Sequence, residues 1–71
     1  MKADTSVVGK VGRVTGRVAR GTVGEVMVAV RGGSEAFYAY AYEADEIFEV
    51  GDRVVVVESH PPRSVLISRF E

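Results

Sequence analysis

Cysteine is absent from this sequence. That excludes disulfide staples, thiolate metal sites and cysteine nucleophiles, and it fits a reducing compartment. Leucine occurs once, at Leu66, and histidine once, at His60. No window long enough for a helix shows helical periodicity. No apolar run approaches the ~18–20 residues that a membrane-spanning helix needs. The opening "MKADTSVVGK" lacks the apolar h-region of a signal peptide. A chain of 71 residues is a single domain near the lower limit for a self-sufficient core.

Charge of one sign is scarce in each half. Residues 1–31 carry six basic residues against Asp4 and Glu25, a net of +4. Residues 32–71 carry three basic residues against eight acidic ones, a net of −5. The simplest reading is mutual attraction of the two halves within one fold. The sharper reading is a basic patch on the first strand that faces a phosphate surface.

What the sequence has in abundance is valine, whose stiff branched side chain suits a pleated strand. In "VGKVGRVTGRVA" (8–19), Val14, Gly16 and Val18 fall on one face and Thr15 and Arg17 on the other. Val11 is out of phase across Gly12, which suggests a bulge or bend. "TVGEVMVAVR" (22–31) repeats the device: Val26, Val28 and Val30 alternate with polar or small residues, and Val23 is out of phase across Gly24. Strongly bent strands of a small barrel need such positions. Gly32-Gly33 marks a tight hairpin, and a third strand covers roughly 34–42. "EADEIFEVG" (43–51) has room for one helical turn around Ala44–Ile47, with Ile47, Phe48 and Val50 plugging the barrel end. "DRVVVVES" (52–59) is a fourth strand. "HPPR" (60–63) is a turn, since neither proline has an N–H for a ladder, and "SVLISRF" (64–70) is a fifth strand. The predicted fold is all-β: a small five-stranded OB-type barrel over residues 7–70, with at most one helical turn between strands three and four. Residues 1–6 are expected to be a disordered N-terminal segment or a cloning remnant. The predicted core is Val14, Val18, Val26, Val28, Val30, Ala39, Ala41, Phe48, Val54, Val56, Val65 and Ile67.

These same segments resemble the C-terminal domain of the NfeD family of membrane proteins. The resemblance is carried by Val8-Gly9-Lys10 with Gly12, by Gly24-Glu25-Val26, by the small-residue third strand leading through Phe48, and by Gly51-Asp52-Arg53-Val54-Val55-Val56-Val57. It spans roughly residues 7–69. It implies an OB-type barrel attached behind transmembrane helices, on the cytoplasmic side. It also implies partners among stomatin- and flotillin-like membrane scaffold proteins. The helices are missing here, so the chain is expected to be a fragment beginning at the domain, or a free-standing paralogue.

"FYAYAY" (37–42) puts Tyr38, Tyr40 and Tyr42 on one strand face and Phe37, Ala39 and Ala41 on the other. Three buried hydroxyls would each need a partner or cost ~1–3 kcal/mol. A narrow barrel also has little room for three phenols. The expected arrangement is Phe37, Ala39 and Ala41 inward, with the tyrosines as an outer stripe that Met27 extends; the inverse arrangement is the alternative. An exposed aromatic stripe is a candidate partner surface.

Other constellations carry little chemistry. Ser59 and His60 are neighbours and leave a strand in opposite directions, so they cannot form a nucleophile–base pair. Glu43, Asp45 and Glu46 lack the ligand number and spacing of a calcium loop. "GKVGRVTG" lacks the ending of a phosphate loop and its strand-to-helix setting. No catalytic, cofactor or metal site is expected, and no cofactor. Two functions compete. The first is a non-catalytic protein-interaction module working through Tyr38, Tyr40, Tyr42 and Met27. The second is a single-stranded nucleic-acid-binding OB domain, with Arg13, Arg17 and Arg31 as the basic face. "GDRVVVVE" is similar to the fourth strand of translation initiation factor one. Base stacking and phosphate tracking would suit the second reading. The net charge of −1 and the sequence pI near 5.8 favour the first.

Overall fold

A computed structural model describes residues 7–70. Five strands form: β1 (Val11–Gly16), β2 (Gly24–Val30), β3 (Gly33–Ala41), β4 (Arg53–His60) and β5 (Ser64–Arg69). They close into a barrel in the order β1-β2-β3-β5-β4, with β4 returning to β1. All pairs are antiparallel except β3 with β5. This is the five-stranded OB-type barrel expected from the valine alternation. The expectation for residues 1–6 lies outside the described residues.

Alternation decides the core. Val14, Val26, Val28, Ala39, Val54, Val56, Val65 and Ile67 turn inward from the five strands, joined by Val18, Phe37 and Val7. Val30 and Ala41, expected in the core, are only partly buried against it. Val30 is the last residue of β2 and Ala41 the last of β3, where the barrel wall runs out.

Gly12 and Gly24 correct the reading of glycine as a phase break. Both are buried and in step with the inward valines of their strands. They are glycine because a side chain there would collide. A Cβ at Gly12 would lie 2.9 Å from the Met27 carbonyl oxygen and from Val26 Cγ2. One at Gly24 would lie 2.4 Å from Val18 Cγ2 and 2.6 Å from the carbonyl oxygens of Arg17 and Gly16. The first strand bends later, at a register shift between Val14 and Gly16 against β2. A second shift between Val56 and Glu58 bends β4 against β5. The β2–β3 hairpin also sits one residue earlier than expected. Val30 pairs with Gly33, leaving Arg31-Gly32 as the turn, and Gly32 has φ +76°.

Between β3 and β4 no helix forms; two tight turns do, with the Glu46 N–H donating to the Glu43 carbonyl and the Asp52 N–H to the Glu49 carbonyl, each at 3.0 Å. Phe48 alone plugs the barrel end. It exchanges both backbone hydrogen bonds with Val18, each 2.9 Å, and is fully buried. Ile47 and Val50, expected beside it, are 46% and 65% exposed. Pinning Phe48 against Val18 turns Ile47 away from the interior, while Val50 lies in the turn that the Asp52 N–H closes on the Glu49 carbonyl. Arg69 lies over the Phe48 ring, 5.0 Å from its centroid, close enough for a cation–π contact.

Candidate interaction surface

The outer face of β3 is built by the same alternation. Phe37 and Ala39 are buried, whereas Tyr38, Tyr40 and Tyr42 are 56%, 44% and 57% exposed. Ala39 is inward because Gly24 and Val65 flank it in the ladders, leaving space for one methyl group. A phenol ring at that position would not fit. No buried side-chain nitrogen or oxygen among the described residues lacks a hydrogen-bond partner, in keeping with hydroxyls kept outside.

The stripe has definite neighbours. Tyr38 stands between Glu25 on β2 and Ser64 on β5, and Tyr40 stands beside Leu66 on β5. Ser64 and Leu66 are half-buried, so the rings rise from a shallow bed. Arg63 fastens one end of the strand. Its Nη2 donates to the Ala36 carbonyl at 2.9 Å, its Nη1 lies 3.8 Å from Glu35 Oε2, and its guanidinium lies 5.7 Å from the Phe37 ring centroid. Met27 is one strand removed, opposite Ala36 on β3 and opposite Arg13 on β1. It therefore stands diagonally from Tyr38, at a distance long side chains can span.

The basic residues are dispersed. Arg17 Nε donates to both oxygens of Glu49, at 3.1 and 3.2 Å. Arg20 pairs with Asp45 at 3.3 Å. These pairs join the basic first half to the acidic second half, as the simpler reading of the charge asymmetry requires. Arg31 lies in the β2–β3 turn, and Arg13 stands opposite Arg53. Arg13, Arg17 and Arg31 thus form no continuous basic track beside the tyrosines. Tyr38 has an acid, Glu25, as its neighbour on β2. The nucleic-acid reading is not favoured by this arrangement.

His60 Nε2 lies 3.3 Å from Glu58 Oε1, both side chains well exposed. The two share a strand face, while Ser59 is on the other. Among the described residues no group of three or more histidine, aspartate or glutamate side chains is placed to hold a metal ion, and no helix is long and apolar enough to cross a membrane. Sequence reasoning missed three residues that shape the surface or the interior: Arg53, Phe70 and Val7. Arg53 lies over the Phe70 ring at 5.3 Å from its centroid, and Val7 is buried. Each depends on a partner distant in sequence, which local periodicity does not report.

Comparison with known proteins agrees with this geometry. The model of the NfeD C-terminal domain family matches residues 11–68. No curated protein matches the chain in sequence. Among solved structures, the soluble domain of a membrane protein implicated in regulation of membrane protease activity, from Corynebacterium glutamicum, superposes with a TM-score of 0.79 at 19% identity. That match covers 94% of this chain and 97% of that one. The soluble domain of the NfeD protein YuaF from Bacillus subtilis gives 0.75 at 24% identity, covering 89% and 73%. The C-terminal domain of the stomatin operon partner protein 1510-C from Pyrococcus horikoshii gives 0.69 at 22% identity, covering 100% and 98%. At these identities the likenesses establish the fold.

Proposed function

Because the chain belongs to the NfeD C-terminal domain family, we propose that it is a non-catalytic protein-interaction module of a membrane protein. It works on the cytoplasmic side with a stomatin- or flotillin-like scaffold protein. The contact surface is the outer row Tyr38, Tyr40 and Tyr42, flanked by Met27. The observation that carries this reading is the row itself: three tyrosines about half exposed, at alternate positions of one strand. Tyrosine gives large rigid contact area with one hydroxyl for orientation, and interfaces are enriched in it. The partner class is supported by the Pyrococcus horikoshii relative, which is described as a stomatin operon partner.

The test is binding of the 71-residue chain to the stomatin-type protein of the same organism, measured by biolayer interferometry. Tyr38→Ala with Tyr40→Ala is expected to weaken binding at least about tenfold. Each change should alter stability by less than about 1 kcal/mol, as at other surface positions. Unchanged affinity in the double variant would remove the row from function. A large loss of stability from Tyr40→Ala alone would make that ring structural.

A further inference from the structure

β1 is separated from the tyrosine strand by β2 on one side and by β4 and β5 on the other. Over its outer face lies an open groove of about 410 Å³, lined by Val11, Arg13, Met27, Ala29, Ser34 and Arg53. Arg13 and Arg53 are direct partners across the antiparallel β1–β4 ladder, where Cα atoms stand about 4.5–5.5 Å apart. Like charges directly opposite one another destabilise a sheet. Among the described residues neither guanidinium forms an ion pair. β1 carries no carboxylate. On β2 the only one, Glu25, accepts a hydrogen bond from Thr15 Oγ1 at 2.8 Å. On β4 the only one, Glu58, lies beside His60. Asp52, next to Arg53 in sequence, accepts the Glu49 N–H at 2.9 Å. The Phe70 ring beneath Arg53 holds its guanidinium in place without neutralising it.

We propose that this groove binds an extended peptide segment whose acidic side chain sits between Arg13 and Arg53. Guanidinium groups take carboxylates in bidentate pairs, and two facing arginines make a carboxylate clamp. Beside the clamp, Val11, Met27 and Ala29 give an apolar floor that suits small aliphatic side chains on either side of the acidic one. That floor separates a peptide from a nucleic acid. No aromatic ring lines the groove to stack a base, and two arginines on a chain of net charge −1 are a poor phosphate track. The site is a second contact surface, which meets the tyrosine row only at Met27.

The test titrates the ¹⁵N-labelled chain with the blocked peptide Ac-Ala-Val-Glu-Ala-Val-NH₂, its glutamine counterpart, a ten-residue oligothymidine, and phosphatidylserine vesicles. The glutamate peptide is expected to give saturable shifts at the amides of Val11, Arg13, Met27, Ala29 and Arg53, weakening with added salt. The glutamine peptide should give none. Arg13→Gln and Arg53→Gln should each weaken binding by about tenfold or more, as for the loss of a charged hydrogen-bond pair. Arg13→Glu places a carboxylate opposite Arg53. It should abolish peptide binding and raise the melting temperature of the free protein, a result that a merely structural role for Arg13 would not give. The proposal is overturned by absence of a saturable shift, by equal response to the glutamine peptide, or by a lowered melting temperature in Arg13→Glu. A stronger response of the same amides to oligothymidine or to vesicles also overturns it, in favour of a phosphate ligand.

Discussion

Adding a single methyl group at Gly24 should remove a large share of this domain's stability, while the same methyl at Gly33 should do almost nothing. At Gly24 the new Cβ would approach Val18 Cγ2 to 2.4 Å and the carbonyl oxygens of Gly16 and Arg17 to 2.6 Å each. Val18 is itself fully buried, so it cannot swing aside, and the two oxygens belong to backbone that turns the chain out of β1. Overpacking a well-filled core typically costs about 1–3 kcal/mol, occasionally more. Collision with two backbone atoms belongs at the top of that range, about 3 kcal/mol. A chain of 71 residues has roughly 4–10 kcal/mol of stability in all. In a domain this small each kcal/mol is worth about 4–8 °C, so Gly24→Ala should lower the melting temperature by about 12–24 °C. At Gly33 nothing lies within 4 Å of the added Cβ, and its φ is not positive. Gly33→Ala is therefore expected to be neutral or to stabilise by up to about 1 kcal/mol through the unfolded chain. Gly12→Ala, with contacts of 2.9–3.0 Å, should fall between. Because all three variants make the same chemical change, the ranking isolates the steric term. Thermal and urea melts followed by circular dichroism measure it, with m-values expected to hold. A Gly24→Ala protein melting within a few degrees of wild type, or a Gly33→Ala protein falling as far, would refute the account of why glycine stands at these positions.

Two further changes probe the interior. Val28→Asp, which puts an unpaired carboxylate at a fully buried position, should leave the chain unfolded at room temperature; a native-like melt would show that the inward phase of β2 is wrong. Phe48→Ala should cost about 3–5 kcal/mol, whereas Val50→Ala, two residues on and 65% exposed, should stay within about 0.5 kcal/mol. Comparable losses from the two would mean that the whole 47–50 segment, rather than one ring, closes the barrel.

Much of the barrel was legible because its signal is local. Val26 and Val28 against Glu25 and Met27, or Ala39 against Tyr38 and Tyr40, declare their faces within a few residues, since strand period is fixed at two. The tyrosine row was readable for the same reason. What depended on other strands was not. Gly12 and Gly24 look like interruptions along the sequence, and only the carbonyl oxygens of Gly16, Arg17 and Met27 and the side chains of Val18, Val26 and Val28 show them to be inward positions with no room for a side chain. The loop "EIFEV" offered three apolar residues for one space, and the choice of Phe48 was made by its hydrogen bonds to Val18. The facing arginines of the groove are forty residues apart in the chain, and their meeting is a matter of register alone.

The hydrogen bond from Arg63 to the Ala36 carbonyl has a consequence for how this domain meets other chains. Barrel closure gives every strand a neighbour on each side, but not along its whole length: β3 meets β5 only from Tyr38 onward, and β4 meets β1 only over Arg53–Val55. Gly33–Phe37 is laddered to β2 alone, so this stretch is a sheet edge at which an incoming strand would find a template. Such edges promote aggregation unless blunted by charge or covered. Here a guanidinium already occupies the Ala36 carbonyl and Glu35 adds a charge beside it. Strand addition, a common way for sheets to take up peptides, is thereby discouraged along this stretch of β3. Along this strand association is left to the side chains of the outer face, where contacts are reversible and copies can meet without polymerising through their backbones.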